Sequence, residues 1–323
     1  MNLKSVRLGH VAHFALRLMS YLFRLENNLG RPYVFQVEPT NLCNLECPMC
    51  PHDLMTRTVG YMDFELFQDI VFQIKSTNPD LRLHNMGESL FHPDIAKFIR
   101  YANSRRLETI LSSNATTLTE RKTQELIDAQ LSWLYISFDG ASAGTYERFR
   151  RGARYEREKA KVERLLQMRR SQGSRFPQVM MSCLSLPGTQ NDVEAFRTYW
   201  KSLVEAVRIK SADVWDGSSD RINDIVADLQ YSVGDWICIW PWQAVVVLWD
   251  GRVVPCCYDY DGKYVLGDLR QKSLAQIFND QPAKRLRRAH LERRAHDVEP
   301  CSTCPRGHCP ETGRSGTDAA PAH

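Results

Sequence analysis

Between Pro32 and residue 211 the chain repeats one pattern, a short apolar run of strand character followed by an amphipathic helical stretch. Strands are expected at 33–38, 81–86, 108–113, 132–138, 178–186 and 206–210, with helices at 64–75, 94–104, 120–129, 142–170 and 191–203. Strict alternation of this kind leaves few folds open. Strands joined through helices must run parallel, so the expected class is α/β, a partial (β/α)6 TIM-like barrel. Chemistry in such folds gathers at the carboxyl ends of the strands. Outside the repeat, residues 1–32 carry a short amphipathic helix near 10–25, expected to cover one end of the barrel, with attachment to a membrane surface as the second reading. Polar residues 212–235 read as a linker and 236–310 as a small C-terminal domain, a β-hairpin around Asp250-Gly251 with a helix at 273–294. Residues 311–323 read as a disordered tail.

The cysteines are distributed unevenly. Of ten, three stand at 43, 47 and 50, one at 183, and six between 238 and 309. No secretory signal is visible, and no run approaches the roughly 20 apolar residues of a membrane span. A cytoplasmic protein is expected, and there clustered cysteines point to metal or redox chemistry more than to disulfides. A formal charge of +4, from 42 basic and 38 acidic residues, is too mild to imply nucleic acid. The basic run at 282–294 reads as a solvated helix face.

Pro39, Pro48 and Pro51 keep residues 37–53 (VEPTNLCNLECPMCPHD) from forming a regular helix, so Cys43, Cys47 and Cys50 sit on a loop directly after the first strand. Zinc would require a fourth ligand such as His52, and a cubane [4Fe-4S] cluster normally takes four thiolates. Three local thiolates on such a cluster leave one iron open to a ligand.

This CxxxCxxC segment resembles that of the radical S-adenosylmethionine (SAM) superfamily. The resemblance implies a [4Fe-4S] cluster on Cys43, Cys47 and Cys50 that binds SAM and cleaves it reductively to a 5'-deoxyadenosyl radical. It implies roles for further residues at strand ends. Gly87 and Glu88, in Met86-Gly87-Glu88-Ser89, are similar to the motif that meets the methionine amino group, with Ser89 in place of the usual proline. Ser112 and Asn114 occupy the place of a T-N-G segment, with Ala115 in place of glycine. Ser137 and Asp139 stand where the family places polar contacts to SAM and substrate, and Arg150 resembles the arginine near the SAM carboxylate.

Cys238, Cys256, Cys301 and Cys304 are candidate ligands of a second metal centre, and their spacing alone does not separate zinc from iron-sulfur. The pattern CxxPW…DGxVxPCC…CxxC resembles the short Twitch form of the SPASM/Twitch subgroup, which implies one auxiliary [4Fe-4S] cluster. Neighbours on an extended chain point to opposite sides, which makes Cys257 either a hydrogen donor facing the cavity or a small buried apolar residue. Cys309 is a spare ligand or a tail thiol, and Cys183 reads as core.

The compact form implies an enzyme that takes hydrogen from an alcohol-bearing carbon of a sugar, aminocyclitol or nucleoside-like metabolite, as in natural-product biosynthesis. Dehydrogenation needs a base for the hydroxyl proton and an electron acceptor, for which the auxiliary cluster is the candidate, and epimerisation needs a hydrogen donor on the opposite face, for which Cys257 is the candidate. A flavodoxin- or ferredoxin-type reductant is the implied partner. A peptide-modifying maturase is the second reading, and a non-enzymatic iron-sulfur or zinc protein the third.

Overall fold

A computed structural model describes residues 8–186, 188–211 and 237–304. The expected linker, the tail and Cys309 lie outside the described residues. The helix α1 (Leu8–Leu22) precedes the first strand, β1 (Tyr33–Val37). Next come α2 (Phe64–Ile74), β2 (Asp80–Arg82), α3 (Ile95–Ser104), β3 (Glu108–Ser113), α4 (Glu120–Asp128) and β4 (Trp133–Ser137). They are followed by α5 (Ala143–Phe149), α6 (Tyr155–Ser171), β5 (Gln178–Ser185), α7 (Gln190–Trp200) and β6 (Ala206–Ser211). Side-chain oxygens of Asp63 and Thr119 cap α2 and α4, satisfying backbone donors that the first turn leaves unpaired.

β2 to β6 form one parallel sheet in sequential order. β1 stands beside β2 but outside that ladder. The Asn78 amide bridges the gap, donating to the Val34 carbonyl at 2.8 Å and accepting from the Val34 amide at 3.3 Å. The other edge of β1 pairs in parallel with β7 (Ala244–Val247), from Tyr33 opposite Ala244 to Val37 opposite Val247. β8 (Arg252–Val254) and β9 (Gly267–Asp268) extend this second sheet antiparallel. The C-terminal hairpin is therefore sewn onto the barrel edge by a full set of strand contacts. α8 (Trp240–Gln243) precedes β7, while α9 (Leu274–Ile277) and α10 (Gln281–Leu291) follow β9. The core lies between the sheet and its helices, with Phe67 and Phe98 stacked 4.1 Å apart beneath α2 and α3.

Four local expectations are corrected. The second strand stops at Arg82, because residues 83–86 turn away to form a wall of the site. The single helix expected at 142–170 is two, broken at 150–154, where Gly152 adopts φ +96° and a Cβ would lie 3.2 Å from Leu45. The hairpin turn has three residues: Leu248 N–H bonds the Arg252 carbonyl, and Gly251 takes the left-handed φ of +98° that this longer turn requires. The helix expected at 273–294 divides at Asp280, whose carboxylate caps the Pro282-containing first turn of α10.

Candidate functional site

The cysteine loop is held in shape by its own asparagine and histidine. Asn41 donates to the Thr58 carbonyl and accepts from Gly60 N–H, at 2.9 Å each, while His52 Nε2 donates to the Asn41 carbonyl at 2.8 Å. Cys50 N–H closes a turn on the Cys47 carbonyl at 3.0 Å. The turn at 150–154 supports the loop from below, its Arg151 carbonyl accepting from Glu46 N–H.

Cys43, Cys47 and Cys50 line one side of a cavity of about 270 Å³ at the carboxyl ends of the strands. Gly87, Glu88, Ser112, Asn114, Ser137, Asp139 and Arg150 line it as well, so every residue assigned there from sequence is gathered in one place. Gly87 has a positive φ of +87°, and a Cβ would lie 2.7 Å from the Asn41 backbone, so only glycine lets the second strand end meet the cysteine loop. Glu88 is buried, accepting from Asn114 N–H at 2.6 Å and Leu90 N–H at 3.2 Å. Burial holds its carboxyl above the usual range. Ala115 adopts φ +64°, the left-handed conformation a glycine would reach freely.

Arg150 ion-pairs with Asp139 at 2.5 Å, and its Nη1 lies 3.8 Å from Cys47 Sγ. Burial opposes the charge on this guanidinium, but Asp139 and Cys47 more than offset that and raise its pKa. Its Nε is shut off from solvent without a hydrogen-bond partner. Burial pushes the Cys50 thiol up to about 12 and raises Cys43. Thiols in that state are protonated at neutral pH and become good ligands only when a bound cation replaces the proton.

Sequence reasoning missed the opposite wall. His84, Asn85, Ser182, Lys210 and Ser211 complete the cavity lining. His84 Nδ1 and Asn85 Oδ1 are buried there without partners. Burial, with Arg82 and Lys210 nearby, holds the His84 ring neutral by lowering its pKa to about 3. Beside it, Glu38 receives a bidentate pair from Arg57 at 2.8 and 2.9 Å and a 2.9 Å bond from Asn85, while Arg57 Nε donates to the Tyr260 carbonyl. The signal available was polarity within or at the end of largely apolar strands, as at Ser182 inside β5 and at Lys210-Ser211 closing β6.

The second thiol set lies beyond the hairpin. Cys256 follows β8 and is half-buried; desolvation first, then Cys257, Cys301, Cys238 and Cys304, raise its pKa well above the ordinary thiol value. Cys301 is pushed to about 12 by burial, ahead of the effect of Cys238 and Cys304, and its sulfur lies 3.5 Å from His290 Nε2. Cys257 does not line the cavity; it packs against Val246, Leu248 and Val254. Cys183 is buried in the core, as expected. Among the described residues no three His, Cys, Asp or Glu side chains are arranged to hold a single metal ion. Three thiols in one set and four in the other are donor sets that iron-sulfur clusters take. The donor chemistry of both sets thus fits iron-sulfur groups.

Two family models match, the radical SAM superfamily over residues 37–188 and an iron-sulfur cluster-binding SPASM domain over residues 238–305, together more than half of the chain. The chain belongs to the radical SAM superfamily, with a C-terminal SPASM region, and its cofactors are SAM, a [4Fe-4S] cluster and auxiliary iron-sulfur. A tungsten-containing aldehyde ferredoxin oxidoreductase cofactor-modifying protein of Pyrococcus furiosus is 25% identical, covering 76% of this chain and 80% of the relative. An S-adenosyl-L-methionine-dependent 2-deoxy-scyllo-inosamine dehydrogenase of Niallia circulans is 22% identical over 84% and 92%. A PqqA peptide cyclase of Granulibacter bethesdensis is 22% identical over 85% and 80%. Among solved structures, BtrN in complex with AdoMet and 2-DOIA superposes with a TM-score of 0.53 at 18% identity, over 85% of this chain and 94% of that one. Streptococcus suis SuiB bound to precursor peptide SuiA gives 0.64 at 10%, over 91% and 74%. Both carry the fold.

Proposed function

We propose that this radical SAM enzyme oxidises an alcohol-bearing carbon of a small polyhydroxylated metabolite, a sugar, aminocyclitol or nucleoside-like molecule. The observation that carries this reading is the division of one small cavity into a thiol wall and a polar wall in which His84, Asn85, Ser182 and Ser211 offer hydrogen-bonding groups alongside Lys210. In this reading Cys43, Cys47 and Cys50 hold the cluster. Gly87, Glu88 and Arg150 receive the amino acid end of SAM, and Ser112, Asn114, Ser137 and Asp139 line the path toward the substrate. Bound together, the reduced cluster and SAM supply a 5'-deoxyadenosyl radical that removes a hydrogen atom from carbon. Asn85, Ser182 and Ser211 supply hydrogen bonds that orient hydroxyl groups, and the neutral His84 offers an acceptor to one of them.

Cys238, Cys256, Cys301 and Cys304 are assigned to one auxiliary cluster, which would accept the electron left on the substrate once the hydrogen atom and the hydroxyl proton have gone. Dehydrogenation is favoured over epimerisation, since Cys257 packs away from the cavity and the Niallia circulans relative is named a dehydrogenase. The domain division at 33–211 and 236–310, a cytoplasmic setting and a flavodoxin- or ferredoxin-type electron donor belong to the same reading. A peptide substrate is the second reading, supported by the similarity to PqqA peptide cyclase over most of the chain.

The test is anaerobic reconstitution, reduction with dithionite, and incubation with SAM and either a panel of aminocyclitols and sugars or a panel of peptides. A polyol that accelerates 5'-deoxyadenosine formation and loses two hydrogens supports the proposal. Acceleration by peptides alone overturns it.

A further inference from the structure

Helix α1 is inside out. Successive residues of an α-helix turn by about 100°, which puts Leu8, Val11, Ala12, Ala15, Met19, Leu22 and Phe23 on one face. That face points to solvent: Leu8 is 86% exposed, Leu22 64% and Phe23 68%. The opposite face carries His10, His13, Arg17 and Ser20, and it is the one turned inward. Arg17 and Ser20 are buried at 1% and 0% exposure. Arg17 donates to the Arg31 carbonyl at 2.7 Å and to Gln243, Ser20 donates to the Leu16 carbonyl and accepts from Leu29 N–H, and His10 bonds the Thr77 carbonyl. The burial lowers the pKa of Arg17 to about 10. An amphipathic helix on a water-surrounded barrel should present the reverse arrangement.

The charge around this face is one-sided. Residues 8–25 contain no Asp or Glu, and besides the buried Arg17 they hold Arg24; Glu26, the next acidic residue, is ion-paired with Arg288. Arg24 and Arg31 are exposed. α2 ends beside the start of α1, and one turn back along it Phe72 is also exposed, with the Lys75 ammonium 4.0 Å above its ring. An apolar strip bordered by Arg24, Arg31 and Lys75, with Glu26 just beyond it engaged by Arg288, is complementary to an anionic lipid surface, where the side chains enter the acyl boundary and the cations meet phosphates.

A second copy of the chain fits less well. The strip is about 22 Å long and one helix wide, well short of the ~800 Å² per partner of a stable interface. Two such strips would also bring like charges together.

We infer that α1 is a docking helix that seats the enzyme on an anionic membrane surface, with its axis in the plane of the headgroups. This does not depend on which substrate the cavity takes. The experiment is flotation of the reconstituted full chain with phosphatidylcholine vesicles, with and without phosphatidylglycerol. Wild type should float with the anionic vesicles about tenfold more than with neutral ones, and added salt should weaken the association. The pair Leu22→Glu and Phe23→Glu should cut it about tenfold, and Arg24→Glu several-fold, with 5'-deoxyadenosine formation and the circular dichroism spectrum unchanged in both. No flotation of wild type, equal flotation with both vesicle types, or unchanged flotation of the Leu22/Phe23 variant would each overturn the inference. So would a wild-type dimer in analytical ultracentrifugation that becomes monomeric in that variant, which would assign the strip to a second copy.

Discussion

The two thiol-rich regions of this chain differ in what surrounds their sulfurs. Cys43, Cys47 and Cys50 border an open cavity, with the Arg150 guanidinium 3.8 Å from Cys47 and the polar side chains His84, Asn85, Ser182, Lys210 and Ser211 in the same lining. Cys256, in contrast, lies outside that cavity with Cys257, Cys301, Cys238 and Cys304 as neighbours, and every one of them raises its pKa further. A closed ligand set keeps a permanent group, while a set with an open side admits an exchanging ligand. The contrast supports a catalytic role for the first region and an enclosed auxiliary role for the second.

The sharpest way to break this comparison is to empty each region separately. Replacing Cys43, Cys47 and Cys50 with Ala should abolish 5'-deoxyadenosine formation and lower bound iron from about eight to about four per chain, the content of one cubane cluster. Cys256→Ala should lower iron by the same amount yet retain 5'-deoxyadenosine formation while losing product. Iron and nucleoside are measured in one sample. Cleavage that survives the triple replacement, or disappears only with Cys256, would reverse the assignment of the two regions.

Arg57 tests whether the regions are mechanically one unit. Its guanidinium joins Glu38, at the end of β1, to the Tyr260 carbonyl beyond the hairpin. Both partners of the ion pair are buried. Arg57→Ala strands the Glu38 carboxylate and should destabilise the fold by about 3–5 kcal/mol, read from denaturant unfolding of the reconstituted protein. A loss below ~1 kcal/mol would mean that β1–β7 pairing alone joins them, with the ion pair contributing no more than a surface contact.

Glu88 belongs to the first region only. Glu88→Ala should weaken SAM binding by ~1.5–3 kcal/mol, the range for a hydrogen bond to a charged group, and leave the iron content unchanged. Equilibrium dialysis with labelled SAM checks it. Unchanged affinity would remove Glu88 from the SAM site and leave its bonds to Asn114 and Leu90 as its whole role.

The sequence carried the parts of this molecule that are local. The strand at Glu108–Ser113 was read to the residue, and the cysteine loop fell at a strand end because prolines and thiols within a few positions left no other reading. What it did not carry is long-range or context-dependent. Nothing near Tyr33 announces that β1 will pair with β7, some two hundred residues later. The break after Phe149 follows from the approach of Leu45 to Gly152, a contact absent from the local helical pattern. Amphipathicity was visible in α1, but its direction was not: periodicity gives two faces, and only the packing of Arg17 shows that the polar one turns inward. His84 went unremarked because a polar residue in an apolar stretch has no signature until its neighbours are known.

That residue supplies the smallest and most specific expectation. Burial lowers the folded-state pKa of His84 from its usual 6.5 to about 3. A histidine depressed in this way contributes stability that is fully present above its unfolded pKa and lost as the pH falls toward the folded one. Between pH 6.5 and pH 5 the loss should be roughly 2 kcal/mol at most, since each pKa unit corresponds to about 1.4 kcal/mol. His84→Gln preserves an acceptor in the cavity but cannot be protonated in this range. It should therefore unfold with a shallower pH dependence over that interval, while the dependence contributed by the buried thiols at alkaline pH stays as in wild type. Parallel profiles for the two proteins would mean that His84 is already protonated in the folded state. The cavity would then carry a further cation beside Lys210 and would select anionic substrates over polyols.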